Sequence, residues 1–463
     1  MKNIPLLEPE FKPAIIELNK FKDDVKKYGK ANHLTICVER NAGYIYRFDL
    51  DVFPDGVDDE RNFFIVERII KSILWVVGGF KIYLSGSDII YNKIKNAYTD
   101  KGLRDFDYHF MSGVYERPFE VVKCDENNLP AVKESSVPAG GHLKGNRIGF
   151  DAGGSDRKVS AVVDGKVIYS EEVVWFPKIN EDPQYHYDGI YTAMKTAASK
   201  MDGKIDAIGV SSAGVYVDNK IMVASLFVKV PKDKFDAKVK TMYIDIAKQL
   251  EKEVGHKIPL EVANDGDVTA LAGALDLKDT NVLGIAMGTS EAVGYVDDKG
   301  NLTGWLNELA FVPVDFNKDA MVDEWSLDFG VGCKYFSQDA VIKLAPRAGI
   351  ELDPNLSPAE KLKVVQKLNE NDDPRAQKIF ETIGTYLAYA IAYYSVFYRI
   401  KHILLLGRVT SGKGGNIILE KAKAVLKDEF PMYAHINITM PDEESRRVGQ
   451  SIAAASLPKG LEK

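Results

Sequence analysis

The sequence predicts an α/β protein built from two related lobes, with an additional α/β domain at the N-terminus. A strand–turn–strand segment occurs twice, strand and helix patterns alternate from residue 147 onward, and a separate ββαβαβ pattern precedes them. The chain has 463 residues, enough for two or three domains of roughly 100–200 residues each. We therefore expect an N-terminal domain over 1–145, a first lobe over 146–275 and a second lobe over 276–463.

The N-terminal domain has its own strand and helix signals. Apolar patterns and turn residues predict strands over 34–38, 44–50, 81–84 and 119–123, and helices over 62–77 and 88–98. The trio Ser85-Gly86-Ser87 is typical of a turn and helix N-cap, with an anion site as the alternative. The aromatic cluster 106–111 is either a lid or interface, or a core segment with one buried histidine. The Pro-Ala-Gly-Gly stretch at 138–141 is typical of a linker.

Strand and helix patterns alternate in the rest of the chain. They predict strands over 205–210, 260–263 and 402–406, and helices over 235–254, 267–275, 360–368 and 376–398. Along the last helix Gly384, Ala388 and Ala392 recur at every fourth residue, which predicts a smooth face for close helix packing. We expect the small-residue helix after Asn264 to pack on that face.

The repeated segment pairs residues 148–156 with residues 283–291. In each copy an apolar strand runs into a turn rich in Gly, Ser and Thr, and a second apolar strand follows. Backbone N–H groups in such a turn can hold phosphate oxygens, and the hydroxyls add donors. The residues concerned are Gly153, Gly154 and Ser155 in the first copy, and Gly288, Thr289 and Ser290 in the second. Two ordinary β-hairpins are the alternative, but the repetition favours a polyphosphate held between two lobes.

The two copies differ in one strand residue, which is Asp151 in the first and Ala286 in the second. A carboxylate beside a phosphate repels it unless a cation stands between them. Asp151 is therefore interpreted as a partner of Mg²⁺ or of its bound waters.

The segment Asn264-Asp265-Gly266-Asp267 places two carboxylates and an amide between a strand and a helix. An Asp in this position can accept a proton from a substrate hydroxyl while the amide orients the substrate. The same residues also make a good turn, and we expect Asp267 to be the N-cap of the helix. Spacing alone leaves Asp265 open between a general base and a turn residue.

Composition excludes several classes of protein. The net charge of -7 gives no electrostatic reason to expect nucleic-acid or anionic-membrane binding. The N-terminus lacks an apolar signal core, and the apolar stretch 387–398 is too short to cross a bilayer. The three cysteines are scattered without a CxxC spacing, so neither disulfides nor zinc are indicated. We expect a cytoplasmic protein that binds neither nucleic acid nor membrane.

These motifs, in this order, resemble those of the ROK family of sugar kinases and sugar-sensing regulators, over about residues 147–457. The resemblance implies a two-lobed actin-like ATPase (ribonuclease H-like) fold with an additional N-terminal α/β domain. The matching segments are 151–155 (first phosphate motif, DxGGT), 211–214 (sugar-contacting SxPG turn), 264–265 (sugar-binding Asn and basic Asp), 288–290 (second phosphate motif, GTG), 307–311 (GExGH), 406–415 (adenosine turn) and 449–455 (closing helix).

The resemblance also implies a role for each matching residue. Asp265 is implied to be the catalytic base, and Asp151 to hold Mg²⁺ indirectly. The residues implied to contact the sugar are Asn264, Glu308, Ser212 and Gly214. Those implied to bind the nucleotide and its phosphates are Asp151, Gly153, Gly154, Ser155, Gly288, Thr289, Ser290, Gly407 and Gly412.

The chain departs from the family pattern at several positions. The metal-binding His of the family is Phe311 here, and the cysteine-rich loop is reduced to 330–333, so we expect no zinc and expect Phe311 to pack in its place. Ser290 replaces a Gly, Glu291 adds negative charge near the second phosphate motif, and Arg408 replaces a Gly of the adenosine turn. The acidic segment 305–338 either reshapes the sugar pocket or forms a solvated loop.

The function implied is phosphoryl transfer from Mg-ATP to a hydroxyl of a sugar or sugar-like polyol. Expected partners are a small-molecule sugar and a second copy of the chain in a homodimer. Two alternatives remain: a non-catalytic sugar sensor, and an actin-fold ATPase that acts through a protein partner. The N-terminal domain shows no helix-turn-helix pattern, which argues against regulation through DNA.

Overall fold

The computed structural model describes residues 1–134, 139–441 and 443–460, with the backbone alone for 443–448. The first residue of the predicted linker, Pro138, lies outside the described residues. The first 134 residues form helices α1 (Ala14–Tyr28), α2 (Asp59–Val76), α3 (Asp88–Ala97) and α4 (Asp105–Tyr115), and strands β1 (Asn32–Glu39), β2 (Ile45–Val52), β3 (Lys81–Ser85) and β4 (Glu120–Lys123).

The N-terminal strands form one sheet in the order β2-β1-β3-β4, with β3 and β4 parallel. All six predicted elements are present, and two helices, α1 and α4, were not predicted. Ser87 caps α3 by accepting a hydrogen bond from the Ile90 N–H, so the N-cap interpretation of the Ser-Gly-Ser trio is confirmed. The aromatic cluster is part of α4, where Phe110 packs on the buried Trp75 ring. Its histidine, His109, is more than half exposed, so the expectation of a buried histidine is wrong.

The next part of the chain forms strands β5 (Asn146–Ala152), β6 (Asp156–Val163), β7 (Lys166–Val174), β8 (Ala207–Ser212), β9 (Val215–Val217), β10 (Lys220–Val223) and β11 (Leu260–Asn264), and helices α5 (Pro183–Ser199), α6 (Lys232–Lys234), α7 (Met242–Val254) and α8 (Asp265–Leu277). Five of the strands form a sheet in the order β11-β8-β5-β6-β7. The predicted helix over 235–254 is divided, because a π-helical turn at Phe235–Val239 precedes α7.

The remaining elements are strands β12 (Val282–Met287), β13 (Glu291–Val296), β14 (His402–Leu406) and β15 (Asn437–Thr439), and helices α9 (Gln338–Leu344), α10 (Pro358–Glu370), α11 (Pro374–Tyr394), α12 (Lys413–Glu429) and α13 (Glu443–Ala455). The strands form a sheet in the order β13-β12-β14-β15. None of the helices in the described part of the chain combines the length and the apolarity that a bilayer-spanning helix requires.

The chain divides by packing into two compact units. Unit 1 comprises the described residues of Met1–Ser135, Ile285–Val293 and Trp305–Met440, and unit 2 those of Ser136–Gly284, Gly294–Gly304 and Pro441–Lys463. The first 134 residues therefore belong to the same compact unit as much of the predicted second lobe, and they do not form a unit of their own. The three-domain division itself stays a prediction.

Several buried contacts join the two ends of unit 1. The Glu8 carboxylate lies 3.0 Å from the Lys343 ammonium and accepts a hydrogen bond from the Tyr386 hydroxyl. An isolated β-bridge pairs Pro13 with Asp315. Because all of these side chains are buried, the N-terminal residues are an integral part of the unit's core.

The acidic segment 305–338 supplies carboxylates to this core. Asp328 is buried among three cationic side chains, those of Arg68, Lys71 and Arg104, and buried charges of this kind require such partners. Asp315 is also buried and accepts hydrogen bonds from the Tyr335 hydroxyl and the Lys12 N–H. A solvated loop is therefore the wrong interpretation for these carboxylates.

The smooth face of α11 packs on a helix that differs from the predicted one. A Cβ on Gly384 would meet the backbone of Ile418 and the side chain of Lys421, both in α12. The small-residue helix α8 instead lies against α13, where Gly449 faces Ala272. The four-residue spacing correctly indicated close helix packing, but not which helix would be the partner.

Candidate functional site

Three neighbouring strands of unit 2 end at the same edge of their sheet. β5, β8 and β11 are parallel, with Asp151 opposite Ser211 and Asn264 opposite Ser212. Parallel strands in open α/β sheets typically place ligand sites at their carboxyl ends. The register therefore brings Asp151 together with Asn264 and the following Asp265, although more than a hundred residues separate them in sequence.

Asp265 is the first residue of α8. Burial, and next the nearby charge of Asp151, raise the pKa of Asp265 to about 6, while the Gly266 N–H acts in the opposite direction by donating to Oδ1 over 2.9 Å. A carboxyl group with this pKa is mainly ionised at neutral pH and can still accept a proton.

Asn264 has a structural role in addition to its predicted one. Its Oδ1 accepts a hydrogen bond from the Gly266 N–H over 2.8 Å and so caps α8, and its Nδ2 donates to the Gly214 carbonyl over 2.6 Å. The prediction that Asp267 is the N-cap is wrong, because Asp267 lies inside the helix and accepts from the Tyr295 N–H. The Asn264 contacts fix the turn at 211–214 beside the helix start.

The two serines at the end of β8 face different surroundings. Ser211 donates to the Asp151 carboxylate over 2.9 Å, which partly offsets the rise that burial causes in the Asp151 pKa. Ser212, which the resemblance implies as a sugar contact, is fully buried and lies 3.3 Å from the Tyr243 hydroxyl. The role of Ser212 as a sugar contact stays a prediction, and Ser211, which the sequence analysis did not single out, contacts the candidate site residue Asp151.

The first glycine turn, residues 153–155, connects β5 to β6. Trp175 holds the turn from one side, because its Nε1–H donates to the Gly153 carbonyl over 2.8 Å and its backbone N–H donates to the Ser155 carbonyl over 3.1 Å. The Lys178 ammonium lies 3.0 Å from the position that a Cβ on Gly154 would take. Neither Trp175 nor Lys178 was singled out from the sequence, since neither belongs to a recognisable motif.

The second glycine turn, residues 288–290, connects β12 to β13 in unit 1. The Gly288 carbonyl accepts a hydrogen bond from the Gln338 N–H over 2.9 Å. Glu291 does not add charge beside this turn as expected, because its side chain points into the core, where Tyr394 lies 3.4 Å from it. Burial raises the Glu291 pKa to about 8, a rise to which Glu308 adds, so the carboxyl is mainly uncharged at neutral pH.

The predicted nucleotide-binding glycines lie in two further turns of unit 1. Gly407 has φ +94° and lies against the backbone of Met287, so a side chain here would collide with the strand that leads to the second glycine turn. Gly412 is the N-cap residue of α12, and the next backbone N–H, that of Lys413, donates to the Glu370 carboxylate over 2.8 Å.

Glu308 precedes a short 3₁₀ turn, Leu309–Phe311, of which Phe311 is the last residue. Glu308 is half-buried, and its N–H donates to the Trp75 carbonyl over 2.9 Å. Phe311 packs against Val331 and Cys333, and its ring lies 4.4 Å from that of Trp75. The expectation that Phe311 packs against the shortened loop is confirmed.

No family model and no curated protein matches this sequence. Among solved structures, the chain is similar to a ROK hexokinase from Thermus thermophilus (TM-score 0.51, 16% identity, 67% of this chain and 97% of that chain). It also matches a ROK family glucokinase from Streptomyces griseus in complex with glucose and AMPPNP (TM-score 0.44, 18% identity, 67% and 99%). A third match is a ROK family transcriptional regulator, a homolog of the E. coli MLC protein (TM-score 0.49, 15% identity, 68% and 79%).

The similarity to the hexokinase shows that the chain has the sugar-kinase type of actin-like α/β fold, as the sequence predicts. The match spans about two thirds of this chain but nearly the whole hexokinase, which leaves room for an additional domain. At this level of identity the similarity concerns the fold.

Proposed function

We propose that this protein is a ROK-type kinase that transfers the terminal phosphoryl group of ATP to a hydroxyl of a sugar or sugar-like polyol. The observation that carries the proposal is the convergence of Asp151, near the end of β5, with Asn264 and Asp265, at the end of β11, on the two sides of the parallel strand β8. Asp265 has a pKa of about 6, close to the working pH that general-base catalysis favours. The shared fold supports the same assignment.

In the proposed reaction Asp265 takes the proton of the substrate hydroxyl as its oxygen attacks the terminal phosphorus of ATP. The bond between that phosphorus and the bridging oxygen breaks, and the bridging oxygen leaves on ADP with the bonding electrons. Asn264, held by its contacts to Gly214 and Gly266, would orient the sugar. Positioning and electrostatics account for most of the rate of such reactions, so the rigid strand ends suit the chemistry.

The residues at the strand ends fit a magnesium ion, since carboxylate oxygens and water are its preferred ligands in proteins. Asp151 would hold the ion directly or through water, and Ser211 fixes one oxygen of its carboxylate. Bound Mg²⁺ offsets negative charge on the phosphates. A structural zinc site needs four nitrogen or sulfur ligands, which the apolar Phe311 and the single thiol of Cys333 do not supply.

Other parts of the proposal rest on the resemblance. The two glycine turns would bind phosphates through backbone donors, Gly407 and Gly412 would lie against the nucleotide, and Glu308 would contact the sugar. Because the donor is ATP, a cytoplasmic location is part of the proposal, as is a homodimer, which light scattering can check.

A coupled ADP-release screen with Mg-ATP across hexoses, pentoses, amino sugars and inositols tests the proposal. Sugar-dependent ADP formation that follows Michaelis kinetics is the expected result. Calorimetric sugar binding without nucleotide and without ADP formation would instead identify a sensor. ATP hydrolysis that no sugar changes would identify an ATPase acting through a partner. Either of these outcomes would overturn the kinase assignment.

A further inference from the structure

A lysine outside every recognised motif lies at the first glycine turn. Lys178 belongs to a 3₁₀ turn, Pro177–Ile179, that follows β7, and it is 24 residues from Gly154 in sequence. Its Nζ nevertheless lies 3.0 Å from the position that a Cβ on Gly154 would take, with its Cε at 2.9 Å. A side chain at Gly154 would therefore displace the lysine, so this glycine leaves the space that the lysine side chain occupies.

The segment that carries Lys178 is held firmly in place. The buried Trp175 joins it to the glycine turn through the two hydrogen bonds described above. The Tyr185 hydroxyl accepts from the Phe176 N–H over 2.9 Å, and Nε2 of the buried His186 lies 3.0 Å from the Pro177 carbonyl. The glycine turn and the backbone that carries Lys178 are thus fixed to one support, which keeps the ammonium within reach of the turn.

The charges around the turn leave Lys178 available for a ligand. Within the described part of the chain, its ammonium has neither a hydrogen-bond nor an ion-pair partner. The other lysine nearby, Lys158, lies between the carboxylates of Asp156 and Glu172, at 3.8 and 3.6 Å. An exposed, unpaired ammonium beside backbone N–H donors is an arrangement that suits phosphate oxygens.

We propose that the Lys178 ammonium binds a phosphoryl oxygen of the nucleotide at the first glycine turn. The assignment of the ligand as a nucleotide rests on the proposed kinase function, whereas the binding of a polyphosphate by Lys178 can be tested without it. Asp151 and Asp156 both lie near this turn, and a cation there offsets their repulsion of the phosphates.

The test compares the full-length wild type with Lys178→Ala and Lys178→Arg, and with Lys166→Ala as a matched control. Lys166 is an exposed lysine at the opposite end of β7. Calorimetry measures the affinity for magnesium tripolyphosphate, Mg-ATP and adenosine. We expect Lys178→Ala to weaken binding of both polyphosphates about tenfold and to leave adenosine binding unchanged. Lys178→Arg should retain most of the affinity, and the loss should shrink at high salt.

The outcomes separate this proposal from the kinase assignment. Equal tripolyphosphate affinity in wild type and Lys178→Ala, no measurable binding to the wild type, or an equal loss in Lys166→Ala would each overturn the role of Lys178. A selective loss in Lys178→Ala supports that role even where the ADP-release screen shows no sugar-dependent activity. The thermal midpoints of the variants should match, because the side chain is exposed and has no hydrogen-bond or ion-pair partner among the described residues.

Discussion

The turn at 153–155 and the turn at 288–290 share a sequence pattern, and each is followed by an acidic residue. The two acidic residues differ in their exposure and in their contacts. After the first turn, Asp156 is partly exposed, next to the Ser155 hydroxyl at 3.1 Å and within reach of Lys158. After the second turn, Glu291 is buried beside Tyr394, and its other carboxylate oxygen has no hydrogen-bond partner among the described residues. The Asp156 carboxylate lies among charged side chains, whereas burial raises the pKa of Glu291 to about 8 and keeps it mainly protonated at neutral pH.

The difference shows that a repeated motif specifies the path of the backbone but not its electrostatics. The first turn lies beside the carboxylates of Asp151 and Asp156 and the ammonium of Lys178, a setting suited to a phosphate with its cation. At the second turn, Glu291 is mainly protonated at neutral pH. It therefore does not exert there the repulsion of a phosphate that the sequence led us to expect. The four predictions that follow test this contrast.

The largest effect is expected from Asp265→Asn, which removes the proposed base from the unit that carries the first turn. The isosteric amide keeps the fold but cannot accept the proton, so the rate of sugar phosphorylation should fall by about 10³-fold or more. Steady-state ADP formation measures it. Asp276→Asn, in the exposed last turn of the same helix, is the control and should retain the wild-type rate. Wild-type turnover in Asp265→Asn would refute the assignment of the base.

The next largest effect is expected from Asp151→Asn. Loss of a carboxylate that would hold magnesium should lower kcat/KM about 100-fold. The neighbouring negative charge raises the pKa of Asp265, so its removal should move the acidic limb of the pH profile from about 6 to lower pH. Full pH profiles of kcat/KM measure both effects.

Asp156→Asn serves as the comparison, because Asp156 is not among the groups that change the pKa of Asp265. In Asp156→Asn the acidic limb of the pH profile of kcat/KM should lie at the same pH as in the wild type. An unmoved limb in Asp151→Asn would show that the two carboxylates are not electrostatically coupled.

A smaller effect is expected when the first turn loses its support. Trp175→Phe removes the hydrogen bond to the Gly153 carbonyl, and a net loss of about 0.5–1.5 kcal/mol corresponds to a rise of about 2–10-fold in the KM for ATP. The KM for the sugar should change little. Trp325→Phe, at a tryptophan that is 76% exposed, provides the control. Identical KM values for ATP in all three proteins would mean that this contact does not position the turn.

The smallest effect concerns the second turn and is seen in stability. Folding raises the pKa of Glu291 from 4.5 to about 8, so between these pH values the native state holds a proton that the unfolded chain releases. The free energy of unfolding therefore falls as pH rises from 4.5 to about 8. Glu291→Gln abolishes this dependence, so its thermal midpoint should exceed that of the wild type by a margin that grows by a few degrees across the window. Thermal unfolding at several pH values measures the margin.

Asp156→Asn is the matched variant for this measurement, since Asp156 occupies the same place after the first turn. The difference between its thermal midpoint and that of the wild type should be the same at every pH value measured. A constant margin between Glu291→Gln and the wild type would contradict the inward placement of Glu291.

Much of the architecture could be predicted from local signals. The strands at 34–38 and 402–406 and the helix at 360–368 were predicted because apolar spacing acts over a few residues. The structure adds a Ser357 capping box at the start of that helix, a signal that was not used. The helices α1 and α4 were not predicted, because their apolar residues are mixed with charged and aromatic ones whose burial depends on contacts elsewhere in unit 1. The partner of α11 also depends on contacts distant in sequence.

The sequence by itself determined the order of the motifs, the two glycine turns and the pair Asn264-Asp265, because each depends on residues that are neighbours in sequence. Only the tertiary structure decided that Ser211 contacts Asp151 while Ser212 contacts Tyr243, that Lys178 reaches Gly154, and that Glu291 points inward. Strand register and burial set which side of each strand a residue occupies and which charges it meets. These quantities arise from contacts between distant segments, and local sequence patterns do not contain them.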